Sequence, residues 1–200
     1  MNVAGGRRGI RSLPHRMRSL MTSTALLLLG SLPALAANND ALVADAQAVA
    51  QTFKSKDPKI EKFFSSASGY AVFPTVAKGG FIVGGAGGDG VLFVGGKPAG
   101  TANMGQASVG LQLGGQTYSE IIFFENPSAL SDFKNGHFQL DAQATAVAIS
   151  AGASADANYP RGVAVFTMTK AGLMYEASVG GQKFTFHPFA AADSKTAAQK

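Results

Sequence analysis

The sequence predicts an α+β domain: a strongly twisted antiparallel β-sheet or partial barrel with two N-terminal helices and one short internal helix. Three observations carry this. Apolar residues recur at helical spacing from Asn39 to Ala67, the rhythm then shifts to a period of two, and glycines punctuate the strand candidates that follow.

The first helix is predicted from Asn39, where Leu42, Val43, Ala46, Val49, Ala50 and Phe53 share one face. Asn39 or Asp40 is available as its cap, and Lys54 and Lys56 suit its dipole-negative end. A second helix restarts at once. Asp57 caps it, Pro58 takes the first helical position, and Ile60, Phe63, Phe64 and Ala67 repeat until Gly69.

Short β-rich runs follow at Tyr70–Phe73, Gly80–Val83 and Val91–Val94. Ala107, Val109, Leu111 and Leu113 alternate with polar or small residues as one buried face of a strand. Gly114-Gly115 turns the chain into Thr117–Glu125, whose Ile121–Phe124 core reads as buried on both faces. Asn126-Pro127 opens a short helix bearing Leu130 and Phe133, closed by Asn135-Gly136. Strands are then expected over Gln139–Ser150, Val163–Thr169 and Leu173–Val179, with Gly180-Gly181 turning into Lys183–Phe186.

Charge separates the chain into two parts. The whole carries 17 Lys+Arg against 12 Asp+Glu, but five arginines and no acid precede Ala37, so the remainder is balanced at 12 and 12. A neutral body without Trp or a dense basic stripe lacks the field on which nucleic-acid binding depends. At 46% hydrophobic and 14% charged, the chain is also far from a disordered composition. The basic stretch Arg7–Arg18, the apolar run Leu20–Gly30 and the small residues of Pro33-Ala-Leu-Ala36 follow the order of a cleavable secretory signal peptide. Residues 1–36 are therefore expected to be the leader, 37–189 a single domain and 190–200 a fraying tail. The periplasm or the exterior is the expected location.

Catalytic chemistry finds little support. Cysteine is absent, which removes disulfides and thiolate ligands together, and no closely spaced histidine pair offers a zinc site. Gly85-Ala-Gly87-Gly-Asp-Gly90 fits G-x-G-x-x-G, but a strand pattern follows it where a dinucleotide site needs a helix. The same stretch matches one copy of a calcium β-roll repeat, a site built only between stacked copies. A β-hairpin turning on Asp89-Gly90 is the simpler expectation. Gly105-Gln-Ala-Ser108-Val-Gly110 is one residue too long for a nucleophile elbow. No catalytic residue, metal site or cofactor is predicted.

The richest charge feature is Lys54-Ser-Lys56-Asp-Pro-Lys59-Ile-Glu-Lys62-Phe63-Phe64. Each lysine near an anionic bilayer contributes about 1 kcal/mol, and burying one Phe adds roughly 1.5–3 kcal/mol. Weak, salt-sensitive membrane contact fits this string; so does a solvated helix junction with both phenylalanines in the core.

Ser68-Gly-Tyr-Ala-Val-Phe-Pro-Thr-Val-Ala-Lys-Gly-Gly-Phe81, continuing through Val83-Gly-Gly85 to Gly90-Val-Leu-Phe93, resembles the SYLF domain family. Ala107–Tyr118, Ile121–Phe124, Ala129–Phe133 and Lys170–Leu173 fall in the family's order, and the resemblance spans about Asp40 to Pro188. It implies a non-enzymatic lipid-binding domain; eukaryotic members bind phosphoinositides and some bind actin, and bacterial members are mostly exported. Family lipid contact lies in the helical region with its basic residues. By region this maps onto Lys54, Lys56, Lys59 and Lys62 with Phe63 and Phe64, and less directly onto Lys78. An exported bacterial-type chain meets neither actin nor phosphoinositides, so anionic phospholipid such as phosphatidylglycerol or cardiolipin is the expected partner. Other readings are an envelope interaction module offering strand edges to a protein, a small enzyme using Asp89 or His137, and an apolar ligand held inside the curled sheet.

Overall fold

The computed structural model describes residues 32–80, 83–109, 115–141, 144, 146–171 and 179–190. Helix α1 (Leu32–Lys56) leads through a 3-10 turn at Pro58–Ile60 into α2 (Glu61–Ser66). Strands β1 (Gly69–Gly80), β2 (Val83–Val94), β3 (Lys97–Val109) and β4 (Gly115–Phe124) follow, then α3 (Pro127–Lys134). The short β5 (Val147–Ala148), β6 (Val163–Ala171) and β7 (Lys183–Pro188) complete one seven-stranded sheet in the order β5-β6-β4-β1-β2-β3-β7. The class is α+β as predicted, and the sheet is twisted and not closed. It is mixed rather than wholly antiparallel, because β5 pairs parallel to β6.

Strict alternation sends successive residues of the central strands to opposite faces, and both faces are covered. On one, Val72, Val91, Phe93, Ile121, Phe123 and Phe166 pack under Ala46, Val49, Ala50 and Phe53 of α1 and Phe63 of α2. On the other, Ala71, Phe73, Leu92, Met104, Ile122 and Phe124 pack with Leu130 and Phe133 of α3 and with Leu140 and Val179. The expectation that Ile121–Phe124 is buried on both faces holds, each residue fully so.

Several local readings are corrected. Among the described residues α1 already runs from Leu32, so Asn39 and Asp40 are interior positions and not caps. The separate strand read at Gly80–Val83 is instead the end of β1 and the start of β2, with Phe81 and Ile82 outside the described residues. Asp89-Gly90 is not a turn. It lies inside β2, and the β2–β3 hairpin turns on Gly95 and Gly96, whose φ values of 58° and 75° suit a type I′ turn. Gly90 is in the strand because a Cβ there would stand 2.6 Å from both the Phe73 ring and the Val72 carbonyl.

The face assignment of the Ala107 strand is reversed at its start. Ala102, Met104 and Gln106 point inward and Ala107 is exposed; the rest of that pattern, Leu111 and Leu113, lies outside the described residues. Pro74 interrupts β1 where its register shifts against both neighbours, a bulge that accommodates a residue with no N–H to donate. The Ser119 hydroxyl donates to the Pro74 carbonyl at 2.7 Å and holds that bulge.

Gln139–Ser150 is not one strand. Gln139 bridges Lys183 at the β7 edge, whereas Val147 and Ala148 pair with β6 at the other edge. The chain between them crosses the α3 face, with Leu140 buried and Ala144 and Ala146 packed against the core. Leu173–Ala177 of the next predicted strand lies outside the described residues, while Val179 is buried and Gly181 (φ 77°) turns into β7 as expected.

Candidate functional site

The junction of the two leading helices is organised by one buried carboxylate. Asp57 accepts the Lys59 N–H at 3.1 Å, which caps the turn that Pro58 opens. Its other oxygen accepts the Ser154 N–H at 2.7 Å, from a residue 97 positions away. Burial alone pushes the Asp57 carboxyl upward, but hydrogen bonds from Ser154, Lys59 and Gly152 prevail and hold it below its ordinary value. The junction is thereby tied to the loop that follows β5.

The four lysines of this segment are not equivalent. Lys54 lies 3.0 Å from the Glu61 carboxylate and 4.3 Å above the Phe64 ring. Lys62 donates to the Ala155 and Ala157 carbonyls at 2.7 and 3.2 Å and sits 5.0 Å from the Phe63 ring centre. Lys56 and Lys59 are exposed, and neither has a salt bridge among the described residues. The outward positive charge of the junction rests first on these two.

Phe63 is 1% exposed and packs against Phe123, Tyr159 and Phe166 at 4.9–5.5 Å between ring centres. Phe64 is half-buried, edge-on to Tyr70 and Phe123. Both rings belong to the core that seats α2, so in this conformation Phe63 has no surface to offer a bilayer. Lys78 is elsewhere: it lies on β1, near enough to Glu120 on the far side of the sheet to lower that carboxyl's affinity for protons.

Two features escaped the sequence reading. A groove of about 400 Å³ runs between α1 and the sheet, bordered by Gln47, Gln51, Lys54, Phe64, Tyr70 and Phe93. Tyr70 and Phe93 stack at 5.1 Å with planes 14° apart, forming its floor. The spacing of Gln47, Gln51 and Lys54 at i, i+4 and i+7 was the available signal for a polar helix face beside aromatics. The second feature is a buried polar cluster. Glu120 is fully buried and accepts from the Gln182 amide at 3.0 Å. Burial raises its carboxyl to about 7, while Gln182 and Lys78 act in the opposite direction. Tyr118 is also driven upward by burial, and Gln106 donates to the Gly180 carbonyl at 2.7 Å. A carboxylate inside a strand carries no sequence signal of burial, so Glu120 was legible only as one scattered acid.

Among the described residues, no group of three or more His, Asp or Glu is placed to hold a metal ion. Asp89 is exposed and pairs across the hairpin with Asn103, while His137 follows α3, so the two residues of the enzymatic reading serve separate surroundings. No helix among the described residues is long and apolar enough to cross a membrane.

The fold and this surface define an α+β domain whose two leading helices meet at a lysine-rich junction. Residues 105–192 match the family described as "Ysc84: Las17-binding protein actin regulator", the SYLF family that the sequence resembles. Its description is that of a binding and regulatory domain. No curated protein matches the chain.

Proposed function

We propose that this protein is a non-enzymatic lipid-binding domain that meets an anionic phospholipid surface through Lys56 and Lys59, with Lys54 and Lys62 flanking them. The carrying observation is that four lysines lie within one short segment whose two acids are both engaged, Asp57 buried on backbone N–H groups and Glu61 paired with Lys54, which leaves Lys56 and Lys59 exposed. The family match over residues 105–192 supports a binding role over a catalytic one. The arginine-rich, then apolar, N-terminal stretch supports export of a bacterial-type chain with cleavage near Ala36, which would leave Asn39 and Asp40 close to the start of the mature helix. Phosphatidylglycerol or cardiolipin is then the partner available. Contact is electrostatic and peripheral, because Phe63 remains in the core.

Co-sedimentation of the protein with phosphatidylglycerol-containing and pure phosphatidylcholine vesicles tests this. The expected result is pelleting with the acidic vesicles alone, reduced by salt and abolished when Lys54, Lys56, Lys59 and Lys62 are all replaced by Gln. Equal pelleting with both vesicle types would overturn it. The strand-edge reading is less favoured, since the β7 edge carries Lys183 and Pro188 and is bridged at Gln139, features that discourage pairing with another chain.

A further inference from the structure

A second cavity lies along the edge of β6, and two of its lining residues, Ala157 and Phe166, also touch Lys62 and Phe63 of the helix junction. Residues Phe166 and Thr167 pair with β5, but Val163, Ala164 and Val165 have β4 on one side and this cavity on the other. Its volume is about 470 Å³, within the ~300–1,000 Å³ range of sites that take small organic ligands. Phe138, Leu140, Ala144, Val147, Val165 and Phe166 give it an apolar wall. It continues around the sheet edge, so residues that serve both cores line one space.

The mouth is polar and charged. Arg161, from the turn before β6, forms an ion pair with Asp141, from the segment that crosses the sheet, and so joins the cavity's two walls. Both side chains are largely exposed, at 75% and 53%, so a solute can reach them. Arg161 is the one non-glycine among the described residues with positive φ, at 55°. Such a conformation persists only where its surroundings impose it, and such sites concentrate where a side chain must be aimed. Here the Glu125 N–H donates to the Gly162 carbonyl at 2.9 Å and fixes the turn.

An apolar pocket with a single exposed guanidinium at its entrance has the chemistry to recognise one apolar chain ending in one anion. A methylene needs about the room of a liquid water, ~30 Å³, so this volume holds on the order of fifteen, enough for one acyl chain and too few for two. We infer that this cavity binds a fatty-acid carboxylate, its chain along the Phe138–Val165 wall and its head on Arg161 in place of Asp141. The site adjoins the lysine junction at Ala157 and Phe166 but does not depend on the lipid-surface contact proposed there.

The pairing of Arg161 with Asp141 makes the test directional. Palmitate is titrated calorimetrically into the full chain below its micellar concentration, with hexadecanol as the uncharged comparison. Palmitate is expected to bind one to one. Arg161→Gln should weaken it roughly ten-fold or more, the scale of one lost charge-assisted contact, whereas Asp141→Asn should tighten it by removing the competing carboxylate. Hexadecanol should bind more weakly than palmitate and respond to neither change. Ala144→Phe, which fills the cavity, should abolish binding, with far-UV circular dichroism reporting whether that variant folds. Failure of palmitate to bind, parity between palmitate and hexadecanol, or weaker binding by Asp141→Asn would each overturn the proposal. So would capture of an extended apolar peptide, blocked by Ala144→Phe, in the absence of palmitate binding; that result would assign the cavity to strand addition on β6.

Discussion

Asp57 and Glu120 are both buried carboxylates, and they answer opposite questions. Asp57 is surrounded by N–H donors, so its charge is favoured and its proton affinity falls. Glu120 has one amide donor and a distant lysine, so its charge is disfavoured and its proton affinity rises to about 7. The signs follow. The stability that Asp57 confers is complete above its unfolded value near pH 4 and drains away as pH falls through the lower folded value. Glu120 works the other way: between about pH 4.5 and 7 the folded state holds a proton that the unfolded state has lost, so its contribution falls as pH rises through that window. Urea denaturation should therefore find Glu120→Gln more stable than the parent at pH 8, by as much as about 3 kcal/mol, with the difference shrinking towards pH 5. Asp57→Ala strands the Ser154 and Lys59 N–H groups and should cost about 2–4 kcal/mol at neutral pH. A parent-like denaturation midpoint for that variant would show that the junction is held by apolar packing alone.

At the scale of the element, what the sequence revealed and what it hid have separate physical causes. Periodic apolar faces identified α1, the Ile121–Phe124 strand and α3 with its Asn126-Pro127 start, because burial on one or both sides leaves a repeating pattern. Glycines were harder to interpret. Gly90 and Gly95 are the same letter, yet one avoids a clash with Phe73 in mid-strand while the other supplies positive φ in a turn. Only the partner strand distinguishes them. Gly90→Val should accordingly cost about 3 kcal/mol or more through overpacking, measured by thermal denaturation. A change below about 0.5 kcal/mol would mean that β1 and β2 are not in this register. The crossing segment from Gln139 to Val147 was read as a strand for a related reason: its composition suits a sheet, but its ends serve opposite edges of one. The lysine cluster was legible in the sequence as a run of charge. That two of its four members are already engaged, and that Phe63 is core, required distances that no spacing contains.

At the scale of the whole molecule, a lysine-rich segment joins the two helices that cover one face of the sheet, and a largely apolar cavity bordered by Arg161 lies at the β6 edge. Helix α1 and the α2 junction are seated by the same aromatic layer, Phe53, Phe63, Phe123 and Phe166, so the lysines are carried on segments packed into the core. The family match covers the strands from β3 onward and leaves the basic helices outside it, so the lipid assignment depends on the junction's own chemistry. That dependence is tested most directly by pairwise substitution. Affinity for phosphatidylglycerol vesicles is measured for the parent, for Lys56→Gln with Lys59→Gln, and for Lys54→Gln with Lys62→Gln. At about 1 kcal/mol per surface lysine, the exposed pair should lose roughly thirty-fold in affinity. The engaged pair, already spent on Glu61 and on the Ala155 and Ala157 carbonyls, should lose clearly less. Parent-like binding by the Lys56 and Lys59 double variant would contradict the account.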